Sequence, residues 1–194
     1  MNAAAHKIRQ RELPNDVWIT PKPLAKKQID MVSASLYADK QDNTKSPPFL
    51  DEMVWYDPFK NSGSYFHQFP KGGHHEWSEI LDGKDLFDFD KHVDVICSNP
   101  PYSCLNKILA KLVEIKPLII SLLVGSHNIT PKRIEFLNKN GYFLEKLHLC
   151  RISGWYGMSL IIQFKLGAGE NIMSYDRVPW KYSNNSCGSA GGIL

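Results

Sequence analysis

The sequence lacks several features that would place it in a specialised class of protein. It has no run of about eighteen apolar residues, so no segment is long enough to cross a bilayer as a helix. Its first residues, 1–7, have no apolar core of the kind that a secretory signal peptide needs. No internal repeat is visible, and the net charge is only +3, which permits a nucleic-acid partner without requiring one. These absences favour an intracellular globular protein, cytoplasmic or nuclear, that has no membrane partner.

Side chains that form disulfides or bind metals are also sparse. The four cysteines are Cys97, Cys104, Cys150 and Cys187. They form no Cys-x-x-Cys pair and three of them lie in apolar contexts, which favours free thiols in a reducing compartment. His74 and His75 are adjacent, so on a strand they would point to opposite faces, and no third ligand follows at a suitable spacing. We therefore predict no metal site.

Apolar periodicity predicts strands that alternate with helices. Predicted strands cover residues 53–56, 75–80, 93–98, 118–124, 142–152 and 158–166, with a further extended piece at 85–89. Predicted helices cover residues 21–37, 105–115 and 130–137, with a short one after residue 64. The link between the last two strands is too short for a helix, so these strands must pair antiparallel. The pattern predicts an α/β fold: a mostly parallel, seven-stranded sheet with helices on both faces and a C-terminal antiparallel hairpin.

This predicted fold sets the expected domain boundaries. Residues 18–168 would form a single domain, long enough to bury a core. Residues 1–17 are charged and polar and are expected to be a flexible segment. Residues 169–194 lose the periodicity and are expected to be a C-terminal extension that is disordered toward its end.

The tetrapeptide Asn99-Pro100-Pro101-Tyr102 directly follows the predicted strand 93–98. Proline cannot continue a strand ladder, so Asn99 is expected at the carboxyl edge of the sheet, where open α/β sheets bind ligands. Asn99 offers an amide, Pro100 keeps its carbonyl acceptor, and Tyr102 adds an aromatic face. Two acceptors and a ring can hold a planar amine, whereas the alternative is a proline-rich turn that closes a strand.

The tetrapeptide resembles the Asn-Pro-Pro-Tyr signature of S-adenosylmethionine-dependent methyltransferases that act on the exocyclic amine of adenine, and of some that act on glutamine. The order of helices and strands resembles the Rossmann-like methyltransferase fold. With Trp18-Ile19-Thr20-Pro21 near the start, the chain looks most like the small adenine-specific DNA methyltransferases of phages and large viruses, over about residues 18–166. The resemblance implies S-adenosyl-L-methionine as cofactor. It also implies that Asn99 and the Pro100 carbonyl accept the two amine hydrogens while Tyr102 stacks on the base.

The loop after the first predicted strand is similar to the cofactor loop of amino-methyltransferases. It reads Asp57-Pro58-Phe59-x-x-x-Gly63, where the family usually has Asp-Pro-Phe-x-Gly-x-Gly. Asn61 stands at the position of the family's first glycine, and asparagine is the residue with a side chain that best tolerates positive φ. The resemblance implies that Asp57 faces the cofactor ammonium, that Phe59 walls its thioether side and that Gly63 allows close backbone approach.

Other residues are assigned to the cofactor by the same resemblance. Glu79, near the end of the second predicted strand, is placed for the ribose hydroxyls, with Glu76 as its rival because the strand register decides between them. Asp85, which precedes Leu86, resembles the acid that accepts from the adenine amine of the cofactor. Thr20-Pro21 resembles the N-terminal element that reaches the cofactor carboxylate, although the pair alone is a plausible helix start. Trp155 and Tyr156 would form a second wall of the base pocket or, alternatively, an aromatic plug on the core rim.

The substrate stays open at this stage. DNA adenine is favoured and RNA adenine is a close alternative. A glutamine-N5 protein methyltransferase, or an inactive methyltransferase fold that serves as a nucleic-acid-binding or partner subunit, are the other possibilities. Nucleic acid is therefore the expected partner, and a homodimer or a partner subunit stays open. Basic residues on the predicted helices would supply a modest phosphate-facing surface or simply solvated helix faces. They are Lys22, Lys26, Lys27, Lys132, Arg133 and Lys139.

Overall fold

The computed structural model describes residues 18–41, 52–155 and 157–174. Its strands are β1 Val54–Asp57, β2 His74–Trp77, β3 Val95–Ser98, β4 Ile119–Gly125, β5 Tyr142–Cys150 and β6 Ser159–Leu166. Its helices are α1 Lys22–Gln41, α2 Leu105–Ile115 and α3 Pro131–Lys139. Single turns of 3₁₀ helix lie at residues 66–68, 80–82, 86–88, 102–104 and 126–128. The predicted elements are therefore present, with ends shifted by a few residues.

The strands form one sheet in the order β2-β1-β3-β4-β6-β5. The pairs β1–β2, β1–β3 and β3–β4 are parallel, whereas β6 runs antiparallel to both β4 and β5. This arrangement confirms the mostly parallel sheet and the C-terminal hairpin. From β1 the chain continues to β2 on one side of the sheet, whereas from β3 it continues to β4 on the other side. The strand order therefore reverses between the neighbouring strands β1 and β3. This is the topological switch point where open α/β sheets bind ligands.

The expected count of seven strands was wrong, because the described part of the chain has six in this sheet. The segment predicted as a short extended piece forms the 3₁₀ turn Leu86–Asp88 instead. The Asp85 carboxylate caps that turn by accepting the Phe87 N–H at 3.0 Å. Aspartate readily bonds to the backbone two residues on, and this local bond competes with a strand ladder.

Helices cover both faces of the sheet, and side chains alternate between the two faces along each strand. On one face α1 packs through four buried residues, Ala25, Ile29, Val32 and Leu36. They meet the strand residues Trp55, Val95, Cys97 and Ile119. On the other face α2 and α3 pack against strand residues that include Tyr56, Ile96, Ile120 and Leu122. Three layers of this kind leave the carboxyl edge of the parallel strands open for a site.

Buried polar contacts fix the position of α1 on the sheet. The Gln28 Nε2 donates to the Ser121 Oγ of β4 at 3.1 Å, and the Tyr65 hydroxyl donates to the Gln28 Oε1 at 2.9 Å. Farther along the helix, the Gln163 Nε2 donates to the Ser35 Oγ at 2.6 Å. Each bond satisfies groups that would otherwise be costly to bury. The start of α1, and with it the segment that precedes the helix, is thereby held against the sheet.

The start of α3 agrees with the sequence signals, whereas α1 begins at Lys22, one residue later than predicted, so Pro21 rather than Thr20 takes the N-cap position. The Thr130 side chain accepts the Arg133 N–H and Pro131 opens α3, as predicted. Pro21 lies directly before α1, and its carbonyl accepts the N–H groups of Leu24 and Ala25. Within the described residues no helix is both long and apolar enough to span a membrane.

The described cysteines are free thiols, as predicted. Cys97 is buried, and Cys104 and Cys150 are half-buried. Cys187 lies outside the described residues.

Candidate active site

A cavity of about 360 Å³ opens at the carboxyl edge of the sheet, at the switch point between β1 and β3. Its walls come from residues 18–20 and from the segments that follow β1, β2 and β3. Five of the residues predicted from sequence line it: Thr20, Phe59, Glu79, Asn99 and Pro101. The fold therefore brings together residues that lie far apart in the chain; Trp18 and Asn99, for example, are 81 positions apart.

Asn99 lines the cavity, and one half of its amide is bound to the protein. Its Nδ2 donates to the Trp18 carbonyl oxygen at 3.0 Å. Because a carbonyl can only accept, the amide has one orientation, with the nitrogen toward Trp18. The Asn99 Oδ1 is buried and accepts no hydrogen bond within the described chain. Pro100 is buried next to it, and Pro101 continues the cavity wall. The site thus holds a fixed acceptor without a partner.

Asp57, at the end of β1, likewise has one side-chain oxygen that accepts hydrogen bonds from the protein and one that does not. Its Oδ1 accepts the Ser98 hydroxyl at 2.6 Å and the Phe59 N–H at 3.3 Å. Its Oδ2 is buried and accepts no hydrogen bond within the described chain. Burial raises the pKa of this carboxyl from 3.8 to about 7, and hydrogen bonds from Ser98 and from the backbone of Phe59 and Phe66 only partly oppose the effect. The side chain is fully buried and does not itself line the cavity.

The loop after β1 adopts the conformation that its sequence predicts. Asn61 has φ +44° and Gly63 has φ +79°, so Asn61 occupies the left-handed region at the position where the related loops have glycine. The Asn61 N–H donates to the Glu79 Oε2 at 2.7 Å, and the Leu81 N–H lies 3.3 Å from the Glu79 Oε1. The Glu79 carboxylate therefore ties the loop after β1 to the turn after β2.

The register of β2 separates Glu79 from its rival. Glu79 lines the cavity beyond the end of the strand. Glu76 lies within the strand and forms an ion pair with Lys91 at 2.8 Å, away from the cavity lining. Of the two carboxylates, the fold brings only Glu79 to the cavity.

Other predicted residues do not reach the cavity lining. Asp85 caps a 3₁₀ turn and Leu86 is part of the core. The Tyr102 ring packs against the core cluster and meets the His127 ring edge-on, with 6.3 Å between the ring centroids. Five further residues that were predicted for the site also do not line the cavity: Pro21, Pro58, Gly63, Pro100 and Trp155. In this conformation the fold does not place Tyr102 as a wall of the cavity.

Trp155 does not line the cavity, but its ring contacts the ring of Trp18, which does. Its ring centroid is 5.2 Å from that of Trp18, with the two planes tilted by 55°. Trp18 is the residue whose carbonyl orients Asn99, and it lines the cavity. Tyr156 lies outside the described residues.

Sequence reasoning missed an apolar pair in the cavity wall. Ile80 and Leu81 directly follow Glu79, and they are 70% and 76% exposed. Two large apolar side chains in an exposed 3₁₀ turn leave an apolar surface that a flat ligand can cover. The signal was present, since two apolar residues follow the Glu79 carboxylate, but Ile80 was assigned to the predicted strand and Leu81 to the turn after it. Lys60 was also missed. It lines the cavity, and its ammonium lies 3.8 Å from the centroid of the Trp77 ring.

The cavity residues suit the cofactor that the sequence implied. The unpartnered Asp57 Oδ2 is an acceptor for a cation next to the cavity. The Glu79 carboxylate is suited to a diol, and Ile80 and Leu81 offer an apolar face to a purine ring. No group of three His, Cys, Asp or Glu side chains that could hold a metal ion occurs in the described ranges.

Of the six basic residues selected from sequence, three are bound to other side chains or carbonyls of the protein, and three form no ion pair with the described residues. Arg133 donates to the Asn106 Oδ1 and to the Asn128 carbonyl, at 2.8 and 2.7 Å, so it serves the fold. Lys26 and Lys139 form ion pairs within their own helices, with Asp30 and Glu135 respectively. Lys22, Lys27 and Lys132 form no ion pair within the described part of the chain.

No protein-family model matches the sequence, and no curated protein sequence matches it. Solved structures do match. Magnesium protoporphyrin IX methyltransferase (ChlM) from Synechocystis PCC 6803, solved with bound SAH, matches with a TM-score of 0.54 and 13% identity. That match covers 84% of this chain and 95% of that chain. The E. cuniculi Mtq2–Trm112 complex, responsible for methylation of the eRF1 translation termination factor, gives a TM-score of 0.51 and 15% identity. It covers 78% of this chain and 99% of that chain.

At these identities the likeness shows the fold. The chain has the Rossmann-like methyltransferase fold that its sequence predicts, with six strands in place of seven. The cavity occupies the switch point of that fold.

Proposed function

We propose that this protein is an S-adenosylmethionine-dependent N-methyltransferase that acts on the exocyclic amine of adenine in nucleic acid, with DNA favoured. One observation carries the proposal. The Asn99 Oδ1 is a buried acceptor without a partner at the switch-point cavity, and the Trp18 carbonyl fixes its orientation. An acceptor of this kind fits an NH₂ group brought to the cavity from outside.

The chain's own residues would hold the cofactor on the β1 side of the cavity. Asp57 accepts the ammonium through Oδ2, and Glu79 accepts from the ribose hydroxyls. Ile80 and Leu81 cover a face of the adenine ring. Bound S-adenosylmethionine supplies a methyl group on a positively charged sulfur.

On the β3 side, the Asn99 Oδ1 accepts one hydrogen of the substrate amine. The Pro100 carbonyl accepts the other, which requires a shift of the loop because Pro100 does not line the cavity in this conformation. The lone pair of an adenine amine is delocalised into the ring, so the amine is a poor nucleophile. Two acceptors in fixed positions favour a pyramidal nitrogen with its lone pair directed at the methyl group, and they stabilise the positive charge that develops on it. The proton on nitrogen becomes acidic as the charge grows, so it would pass to solvent water after the methyl group is transferred, and no strong base is required before attack.

The test is a tritiated-methyl assay with DNA, RNA and a glutamine-containing protein as acceptors, followed by identification of the methylated product. We expect label in N6-methyladenine. Label in glutamine, with none in nucleic acid, would contradict the adenine assignment, because a glutamine amide is also a planar amine.

The variant pair that tests the site is Asn99→Ala with Asn106→Ala as its control. Loss of one positioned polar group in an active site typically lowers turnover by about 10²–10³-fold, and we expect this loss for Asn99→Ala. Affinity for S-adenosylhomocysteine, measured by calorimetry, should change little. Asn106 is exposed on α2 and accepts from Arg133 away from the cavity, so its variant should keep its turnover. Near-normal turnover of Asn99→Ala would remove Asn99 from the mechanism.

A further inference from the structure

A second, open groove of about 530 Å³ lies along the outer side of α1. It has an apolar floor that includes Met31 and Ala34, and three ammonium groups surround it, those of Lys26, Lys27 and Lys146. We call this the lysine groove. Lys26 is neutralised by Asp30, its ion-pair partner. Lys27 forms no ion pair within the described part of the chain, and the Lys146 Nζ donates one hydrogen bond, to the Met31 carbonyl at 2.9 Å. The groove therefore carries a net positive charge.

The lysine groove connects to the cavity through aromatic side chains. Met31 of the groove packs on the small cluster of Leu123, Ile152 and Ile161, and Trp155 packs on the same cluster. The Trp155 ring in turn contacts the ring of Trp18, which lines the cavity. Both tryptophans are half-buried, so part of each ring remains at the surface. The lysine groove, the two tryptophans and Asn99 are thus linked through a shared buried cluster and the Trp18 carbonyl.

We infer that the lysine groove and the Trp18–Trp155 pair form one surface that binds a single strand of nucleic acid and leads it into the cavity. This inference rests on the proposed function and deepens it. Proteins that bind single strands combine a positive groove for the backbone with aromatic rings on which bases stack. A base already out of a helix also reaches a deep acceptor at lower cost than a paired one. The charge of the groove complements phosphates, and the tryptophan pair adds a contact that an acidic peptide would not use.

The test measures fluorescence anisotropy of labelled single-stranded DNA of about 20 nucleotides at several salt concentrations. Each phosphate contact contributes about 0.7 to the slope of log affinity against log salt for single strands. Lys27→Gln with Lys146→Gln should therefore lower that slope by about 1.4. The matched control is Lys107→Gln with Lys116→Gln, which removes the same charge from exposed positions on α2 and at its C-cap, across the sheet. The control should leave the slope unchanged. Thermal melting checks that each variant is folded.

Trp155→Ala gives an independent signature, because it removes a ring without removing a charge. We expect affinity to fall about tenfold with an unchanged salt slope. Equal slopes for the two lysine pairs, or no binding of DNA by the wild type, would overturn the inference. So would a polyglutamate peptide of matched charge that competes as well as DNA does. None of these results would contradict adenine methylation, whose failure would appear separately as the absence of methyl transfer to any nucleic acid.

Discussion

Cofactor binding should depend on pH through Asp57. The pKa of this carboxyl is about 7 because the group is fully buried, so near neutral pH about half of the molecules carry it protonated. A ligand ammonium that bonds to Oδ2 requires the ionised form. Binding should therefore release a proton, and the affinity should rise with pH until Asp57 is fully ionised in the free protein.

The magnitude follows from that pKa. About one tenth of the carboxyl is ionised at pH 6 and about nine tenths at pH 8, so the affinity should rise about tenfold between them. The assay is calorimetry with S-adenosylhomocysteine at several pH values, in buffers of different ionisation enthalpy. Near pH 7 the buffer dependence should report release of about half a proton. In Asp57→Asn the pH dependence of the affinity reflects the titration of the ligand amine alone. The difference between the pH dependences of the wild type and the variant is therefore the contribution of Asp57.

A second variant tests the cause of the shift. The Ser98 hydroxyl bonds to the Asp57 Oδ1 and lowers the pKa of Asp57, so Ser98→Ala should move the titration to higher pH. A wild-type affinity that is flat from pH 6 to 8, or one whose pH dependence survives unchanged in Asp57→Asn, would refute the reasoning.

Three further predictions concern single side chains. Glu79→Ala should lower the affinity for S-adenosylhomocysteine at least about tenfold in calorimetry, because a charged acceptor is lost, whereas Glu76→Ala should not. Equal effects would reject the assignment of the ribose acceptor. Asn61→Val should lower the free energy of unfolding in urea by about 1–2 kcal/mol, because a β-branched residue is strained at φ +44°, and Asn61→Gly should not lower it. Leu112→Ala, at a fully buried α2 position, should cost about 2–5 kcal/mol in the same titration, and a cost below about 1 kcal/mol would contradict the packing described for α2.

Signals that are local in sequence predicted the positions of Asp57 and Asn99. Each follows an apolar strand that ends at proline, and proline stops a ladder whatever surrounds it. The parallel order of the strands then brings both residues to the same edge. The positive φ of Asn61 was predictable for the same reason, because it depends on a single residue type in a tight turn.

Features that depend on competition between local and distant contacts were not predictable in the same way. Asp85 was assigned to an extended piece, and the cap that its side chain makes converts that piece into a 3₁₀ turn. Ile80 was taken as the end of a strand and Leu81 as the start of a turn, yet β2 ends at Trp77 and leaves both exposed at the cavity. The choice between Glu79 and Glu76 required the register of β2, which is set by pairing with β1.

Asp57 and Asn99 each have one side-chain atom that is hydrogen-bonded to the protein and one oxygen that is not. Ser98 occupies the Oδ1 of Asp57, and the Trp18 carbonyl occupies the Nδ2 of Asn99. Each side chain is thereby fixed, while the remaining oxygen, buried and without a hydrogen bond, costs the fold about 1–3 kcal/mol. A donor from outside, such as a bound ligand or a water molecule, can complete either bond. Asp57 ends β1 and Asn99 directly follows the neighbouring strand β3, so ligands that complete the two bonds would lie side by side, as the methyl donor and the amine of the proposed reaction must.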